Sequence, residues 1–364
     1  MKVLSIQLNH VRNLKNQEII ISSPIQVFYG KNGQGKTSIL EAIYFAATGL
    51  SFRTKHSSEM IRYTKNTLSC SLGYQDQFSK KSLSVSIENE KKQFFFLGKK
   101  ISQMEFYGNL NVIYYIPEDV MLINGSPSVR RLFMDREISQ INVFYLQQLK
   151  KFSHLLKIRN KYLKEKLYQN EEFLIYEKEF VECGSYLIEQ RNHYLQLMSS
   201  FIKNIYQNLF DKEKELQLQY KTFIEFQNDV TLSKIQEEFW KEIKKKKEKE
   251  IQYGFSMVGP HKDEFIFLLE RQDAKLYASQ GEKKSIIFSL KLSEIDILSK
   301  NKKEMPIVLI DDVTSYFDEE RCYSVLQYLY EKKVQVFITS TERLKIEADY
   351  YRIEKGEVYE NTSS

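Results

Sequence analysis

The sequence predicts an α/β fold: one lobe assembled from both chain ends, an antiparallel sheet subdomain beside it, and a helical arm inserted between the two halves. Three observations carry this. A loop with three glycines in six residues joins an apolar strand to a helix near the N-terminus, short apolar runs return after residue 260, and the middle of the chain is charged with helical periodicity.

Residues 2–9 alternate apolar and polar side chains and read as a half-buried strand. IQVFY at 25–29 reads as a buried strand that ends on the glycine cluster, and the run from Lys36 reads as an amphipathic helix. LSCSLGY, SLSVSI, QFFFLG and NVIYYI, between 68 and 116, are expected to form one antiparallel meander. From about 137 to 210 apolar residues recur at near-heptad spacing: Tyr145, Leu149, Phe152, Leu156, Leu163 and Leu167, then Phe180, Leu187, Tyr194, Met198, Phe201 and Ile205. Two antiparallel helices with a break near Asn170 satisfy both stripes, either as a short coiled coil or as ordinary amphipathic helices. WKEIKKKKEKEIQ, from Trp240, interleaves Lys and Glu as a solvated helix face does. EFIFLLE at 264–270 reads as a strand, about 282–300 as a helix, and PIVLIDD and VQVFITS as strands. The partition is therefore 1–116 for the N-terminal part of the lobe, 117–250 for the arm and 251–364 for the C-terminal part.

At 42% hydrophobic and 13% aromatic residues the chain is too apolar for disorder, and it has no unbroken apolar run near 18 residues, so no membrane span is expected. The opening MKVLSIQLNH alternates instead of forming the apolar stretch of a secretory leader. Cys70, Cys183 and Cys322 lie far apart without a CxxC pair, which argues against a disulfide framework or zinc site and fits a reducing cytoplasm. The net charge of +6 favours a polyanion only where it is clustered.

Gly30-Lys31-Asn32-Gly33-Gln34-Gly35-Lys36-Thr37, followed by Ser38, matches G-x-x-x-x-G-K-[ST] between a strand and a helix. Side-chain-free positions let backbone N–H groups turn inward around phosphate oxygens, and the helix start adds its positive end. Lys36 is expected to reach the β and γ phosphates and Thr37 to hold Mg²⁺, so the motif implies ATP or GTP binding. A glycine-rich turn that merely starts a helix is the bland alternative. A phosphate loop needs a carboxylate at the end of a neighbouring buried strand, and Ile307-Val308-Leu309-Ile310-Asp311-Asp312 supplies it. Asp311 is the expected metal ligand and Asp312 the group that orients or deprotonates the attacking water, although adjacent aspartates also cap helices. Ser279, Gln280 and Gly281 open the helix near 282 as a second anion site. One nucleotide does not need two cradles in one subunit, so this one is expected to cover a partner's γ-phosphate and to make dimerisation depend on ATP.

These residues resemble the ABC-type ATPases of genome maintenance, and among them the RecF family. The resemblance rests on LNHVRNL, GKNGQGKTSILEAIY, TGLSFRT, PEDVMLINGSPSVRRLFMD at 117–135, GPHKDEF at 259–265, SQGEKK at 279–284 and LIDDVTSYFDEER at 309–321. It implies an ATP-dependent DNA-binding protein, a weak ATPase that dimerises around two nucleotides. Gapped duplex or single-strand to double-strand junctions would be its DNA, and RecR and RecO its partners in loading RecA. It also implies that Arg12 and Asn13 lie near the adenine and ribose, that Ser279–Gly281 is the signature motif, and that Ser315 and Asp318 belong to the loop crossing the dimer interface. Glu282-Lys283-Lys284 stands where the family has glutamine and then arginine, and Lys262 stands for another arginine; lysine lacks the planar fork for bidentate phosphate contact. Thr339 or Thr341 is the candidate γ-phosphate sensor, and His261 is either catalytic or a hydrogen-bonding residue in a tight turn. Arg62, Lys65, Arg130, Arg131, Lys157 and Arg159 are candidates for DNA contact or plain surface charges. A metabolic phosphotransferase has no use for SQGEKK, and a transporter ATPase needs no inserted arm, so both are the weaker alternatives.

Overall fold

Helix α1 (Lys36–Thr48) packs against strands of two six-stranded sheets in the first of two units, which comprises residues 1–119, 208–212 and 288–364. The computed structural model describes residues 1–226, 230–315 and 319–361. The antiparallel sheet runs in the order β2 (Gln17–Ile20), β1 (Lys2–Asn9), β4 (Thr67–Gln75), β5 (Lys80–Glu88), β6 (Lys91–Phe96), β7 (Lys99–Ile101). The second runs β15 (Glu357–Asn361), β14 (Asp349–Glu354), β3 (Ile25–Tyr29), β13 (Gln335–Ser340), β12 (Ile307–Ile310), β8 (Val112–Tyr115) and is parallel except at β15. Short α2 (Gln103–Phe106), α10 (Glu319–Glu331) and the part of α9 (Gln280–Lys302) from residue 288 onward complete the unit. Among the described residues no helix is long and apolar enough to cross a membrane.

NVIYYI leaves the meander that its neighbours form. Its strand, β8, pairs in parallel with β12, because Val112–Tyr115 is buried at all four positions and belongs between covered faces. Nor is α1 amphipathic: every residue of it except Thr37 is buried, the pattern of a helix covered on all sides. Among its buried polar residues the one acid is Glu41, whose side chain is 0% exposed. A buried carboxylate requires partners. Arg12 supplies a bidentate pair at 2.8 and 2.9 Å, Ser51 donates its hydroxyl at 2.5 Å, and Arg53 lies 3.4 Å away. Arg12 also donates to the Glu59 carbonyl, so one acid ties three loops to α1.

The second unit comprises residues 120–207 and 213–287. After α3 (Met121–Asn124) and α4 (Pro127–Ile141) come α5 (Val143–Lys164) and α6 (Glu171–Leu209), with the Asn170 carboxamide accepting from the Glu172 N–H at the break. These two helices are antiparallel: Asn142 bonds Gln190, Phe152 stacks on Phe180 at 4.7 Å, and Tyr162 bonds Glu172. The buried face of α5 is Tyr145, Phe152, Leu155, Arg159 and Leu163; Leu156 is half-buried, and Leu167 lies beyond the helix and is exposed. Arg159 enters this core because Glu177 and Glu250 each take its Nη2 at 2.7 Å and Ser256 its Nη1 at 2.8 Å. Helix α7 (Leu232–Tyr253) carries the lysine-rich run. The sheet β11 (Gln272–Asp273), β10 (Glu264–Leu269), β9 (Leu216–Lys221) precedes or joins α8 (Ala274–Tyr277). Pairing of β10 with β9 draws residues 251–287 into this unit, whereas the sequence partition put them in the nucleotide lobe.

GPHKDEF forms the polar centre of the second unit. Arg191 donates to the Pro260 carbonyl at 2.6 Å, to Asp135 at 2.7 Å and to the Tyr145 hydroxyl at 3.0 Å. Arg131 donates to the Asp263 carbonyl, and the Tyr220 hydroxyl to the Asp263 carboxylate at 2.6 Å. Burial pushes the Asp263 carboxyl up to about 6 despite Arg191 and Tyr220. Burial pushes His261, packed beside Phe152 and Phe180, down to about 4.

Replacing Glu41 by Gln leaves the Arg12 guanidinium without a countercharge and should cost about 3 kcal/mol of stability, read as a lowered unfolding midpoint in urea. The two titrating groups of the second unit act in opposite senses. Folding withholds a proton from His261 between pH 4 and 6.5, so its contribution rises with pH there. It retains one on Asp263 between pH 4 and 6, so that contribution falls. Relative to the parent, His261→Asn should be less destabilised at pH 4 than at pH 7, and Asp263→Asn the reverse, each by up to about 3 kcal/mol. Fluorescence of Trp240, the only tryptophan, follows unfolding of this unit directly.

Candidate nucleotide-binding site

β3 delivers the chain to Gly30, and α1 carries it away from Lys36. The turn between them is reserved for glycine at its ends. Gly30 has φ +150° and a Cβ there would lie 2.5 Å from the Ile353 carbonyl oxygen; Gly35 has φ +114° and a Cβ would lie 2.7 Å from Leu14. Asn13 holds the middle, donating to the Gly33 carbonyl and accepting from the Ser38 hydroxyl, both at 3.3 Å. Gln34 turns away from the cleft: its side-chain oxygen accepts from the Lys355 N–H at 2.6 Å and its carbonyl from the Gly356 N–H at 3.2 Å. The β14–β15 turn thus clasps the loop, a contact that no motif in the sequence announces.

Lys36 folds over its own loop, donating to the carbonyls of Gly30 at 2.6 Å and Lys31 at 3.1 Å and reaching the Asn32 side chain at 3.4 Å. Burial lowers its pKa, while Asp312 and Asp311 pull it back up. At the end of β12, Asp311 meets the Thr37 hydroxyl at 3.0 Å from both carboxylate oxygens. Thr339, fully buried on β13, donates to Asp311 at 2.5 Å and accepts from the Asp312 N–H at 2.8 Å. Burial raises the Asp311 pKa against these two hydroxyl bonds, with Asp312 and Glu118 adding to the rise. A carboxylate and a hydroxyl so placed, in a site that penalises a bare negative charge, suit a divalent cation. Asp312 sits one residue on at φ +52°, a left-handed conformation that Asp adopts more readily than most residues.

These groups line one cleft of about 1120 Å³, with Arg12, Asn13, Asn32, Gly33 and Gly35 to Ser38 on one side and Asp311, Asp312 and Thr339 on the other. That volume accepts a nucleoside triphosphate. Arg62, the fully exposed Tyr63 and Arg53 also reach it. Sequence reading passed over Glu41, which orients Arg12, and Tyr63; a lone acid inside SILEAIYFAAT was the available signal for the first. Thr341 is exposed and is not among the residues lining the cleft.

Ser279, Gln280 and Gly281 are exposed in the second unit at the start of α9. Ser279 caps the helix: its hydroxyl accepts from the Glu282 N–H at 3.2 Å, and Glu282 returns to the Ser279 N–H at 2.7 Å. The Ser279 hydroxyl in turn hydrogen-bonds the Glu282 carboxylate, so the cap is closed on both sides. Glu282 is neutralised by Lys214 at 2.7 Å, and this hydrogen bond and the cap hold its carboxyl down at about 2. Lys283 points back to the Lys275 carbonyl at 3.0 Å. Ser315 ends a short 3-10 turn, and Asp318 lies outside the described residues. His261 is half-buried beside Phe152 and Phe180 of the arm and bonded to the Ser256 carbonyl at 3.1 Å, the arrangement of a hydrogen-bonding residue in a tight turn. Arg130, Arg131 and Arg159 are committed to Glu264, the Asp263 carbonyl and the Glu177–Glu250 pair, leaving Arg62, Lys65 and Lys157 at the surface or partly so.

Residues 2–355 match the model of the RecF/RecN/SMC N-terminal domain. The chain is 33% identical over 363 residues to the DNA replication and repair protein RecF of Streptococcus suis, covering 98% of each chain. It is 32% identical over 349 residues to that of Bacillus cytotoxicus, covering 94% of this chain and 92% of the relative. A solved structure of the recombination mediator protein RecF with ATP, from the RecFOR pathway, superposes with a TM-score of 0.92 at 28% identity, covering 99% of this chain and 98% of that one. The Smc head domain of Pyrococcus furiosus, at 14% identity and a TM-score of 0.56 over 99% of this chain and 96% of its own, shares the fold. With an ABC-type ATPase head, a phosphate loop facing an acidic strand end, and likeness along nearly its whole length, the chain belongs to the RecF family.

Proposed function

We propose that this chain is an ATP-dependent DNA-binding recombination mediator, and that the Thr37–Asp311 pair facing Lys36 across the phosphate loop is where it holds Mg²⁺-ATP. The observation that carries this reading is the convergence of the Thr37 hydroxyl and both Asp311 oxygens at 3.0 Å at the mouth of a glycine turn. The names of its relatives support the repair role. Mg²⁺, when bound with the nucleotide, neutralises charge on the β and γ phosphate oxygens.

The residues divide the remaining work. Lys36 exchanges the Gly30 and Lys31 carbonyls for phosphate oxygens, a trade of neutral acceptors for charged ones. Backbone N–H groups from Lys31 to Thr37, with Ser38 behind them, cradle the phosphates, and Arg12 and Asn13 border the sugar and base. Asp312 orients the attacking water, and Thr339 holds Asp311 and the Asp312 backbone in register while reporting the γ-phosphate. Ser279 to Gly281, exposed at the start of α9, cover the nucleotide of a second copy through the backbone N–H groups of that helix start. ATP thereby closes a homodimer on gapped duplex or a single-strand to double-strand junction, weak hydrolysis reopens it, and RecR and RecO join it in loading RecA.

Lys36→Met should lower ATP affinity at least tenfold, about 1.4 kcal/mol, in equilibrium binding of a fluorescent ATP analogue, with thermal unfolding of the ligand-free protein little changed. Ser279→Arg should bind that analogue normally yet elute as a monomer in gel filtration with non-hydrolysable ATP, where the parent elutes as a dimer. Normal dimerisation of Ser279→Arg would remove the trans-site reading.

A further inference from the structure

We infer that the solvent face of α5 is a seat for the phosphate backbone of duplex DNA, which places one nucleic-acid contact on the helical arm. The inference rests on the DNA-binding reading above and adds the surface that performs it. Helix α5 contains five lysines, one arginine and one histidine and no Asp or Glu, in a chain whose net charge is +6. Two of its cations are spent internally: Arg159 on Glu177 and Glu250, and Lys151 on Glu179 at 2.9 Å. The others, Lys150, Lys157, Lys161 and Lys164, are exposed, with His154 between them. At 100° per residue they fall within a stripe roughly 80° wide, directly opposite the buried face of Tyr145, Phe152, Leu155, Arg159 and Leu163. Lys150 and Lys164 are about 21 Å apart along the axis, a distance over which a duplex presents roughly a dozen charges.

The chemistry of the face selects among polyanions. Past Phe144 the helix exposes no large apolar side chain, so a protein partner would find no aromatic or aliphatic anchor, and lysine is depleted from protein interfaces. Single-stranded DNA is held by aromatic side chains on which bases stack, and the stripe offers none. Lysines that act as point charges along a line suit phosphates of a duplex, independent of sequence. Helix α7 has seven lysines but also five glutamates: Lys241 pairs with Glu237 and Glu238, and Lys245 and Lys246 pair with Glu242. Lysine abundance by itself therefore does not make this surface.

The test is fluorescence-anisotropy binding of the full chain to a labelled duplex across a salt series, with ATP. The variant carries Lys150→Gln, Lys157→Gln, Lys161→Gln and Lys164→Gln. Its control loses the same charge from α7 through Lys241→Gln, Lys244→Gln, Lys245→Gln and Lys246→Gln. The α5 variant should lose at least about tenfold in duplex affinity, and its log–log salt slope should flatten by about 0.9 per seated lysine, roughly 3 to 4 in all. The α7 control should keep the parent slope within about 1, and arginine at the four α5 positions should restore it. ATP-analogue affinity reports that each variant is folded. A parental slope in the α5 variant, as an acidic protein partner for this face would give, overturns the inference and leaves the DNA-binding reading standing. Equal losses in both variants also overturn it, since the attraction would then be bulk charge. A parent that binds no duplex at any salt defeats the DNA-binding reading itself and this inference with it.

Discussion

The complete burial of α1 is the constraint on which the candidate site depends. A helix with sheet on both sides cannot slide or rotate without opening apolar contacts along its length, so its first turn is held in place to within the tolerance of core packing. Thr37, the single residue of α1 that escapes burial, is the one that faces Asp311. The phosphate loop inherits its position from this packed core. Glu41 is the one acid inside the helix, and through Arg12 it extends the same rigidity to the rim of the cleft.

Paired ions in apolar surroundings recur through the molecule with different consequences. Around Arg159 and Arg191 they are closed networks in which most of the donors find acceptors, and such networks specify which helix face meets which. Around Asp311 the set is open on one side, because its two hydroxyl partners are neutral and its neighbour Asp312 is another acid. The contrast separates structure from site more sharply than burial does. Residues 130, 131 and 159 show the point: as isolated basic letters they suit nucleic acid, and in the fold their guanidinium groups are occupied by the protein itself.

Local pattern made much of this legible. The phosphate loop, the acidic strand end, the long helices and the meander from Leu68 to Phe96 are all encoded in residues close in sequence, and the structure forms each of them. The errors come from what lies across the chain. Nothing within NVIYYI distinguishes an antiparallel neighbour from a parallel one, because its partner β12 is nearly 200 residues away. The amphipathic reading of α1 failed because a covering on both sides leaves no polar face to see, and Glu41 looked like that face's residue. Leu156 and Leu155 exchange places because an ideal 3.5-residue stripe drifts from the 3.6-residue helix that Arg159 and its acids pin. The clasp of Gln34 by Lys355 and Gly356 joins positions more than 300 residues apart, beyond the reach of any local rule.

That same clasp has a consequence for biosynthesis. β3 is flanked by β13 and β14, so the strand bearing the phosphate loop leaves the ribosome some 300 residues ahead of both neighbours. Until they emerge, an apolar strand and the helix after it wait without their sheet, a long-range closure of the kind that folds slowly and invites aggregation. Until both strands have emerged, the nascent chain lacks the sheet that positions its phosphate loop.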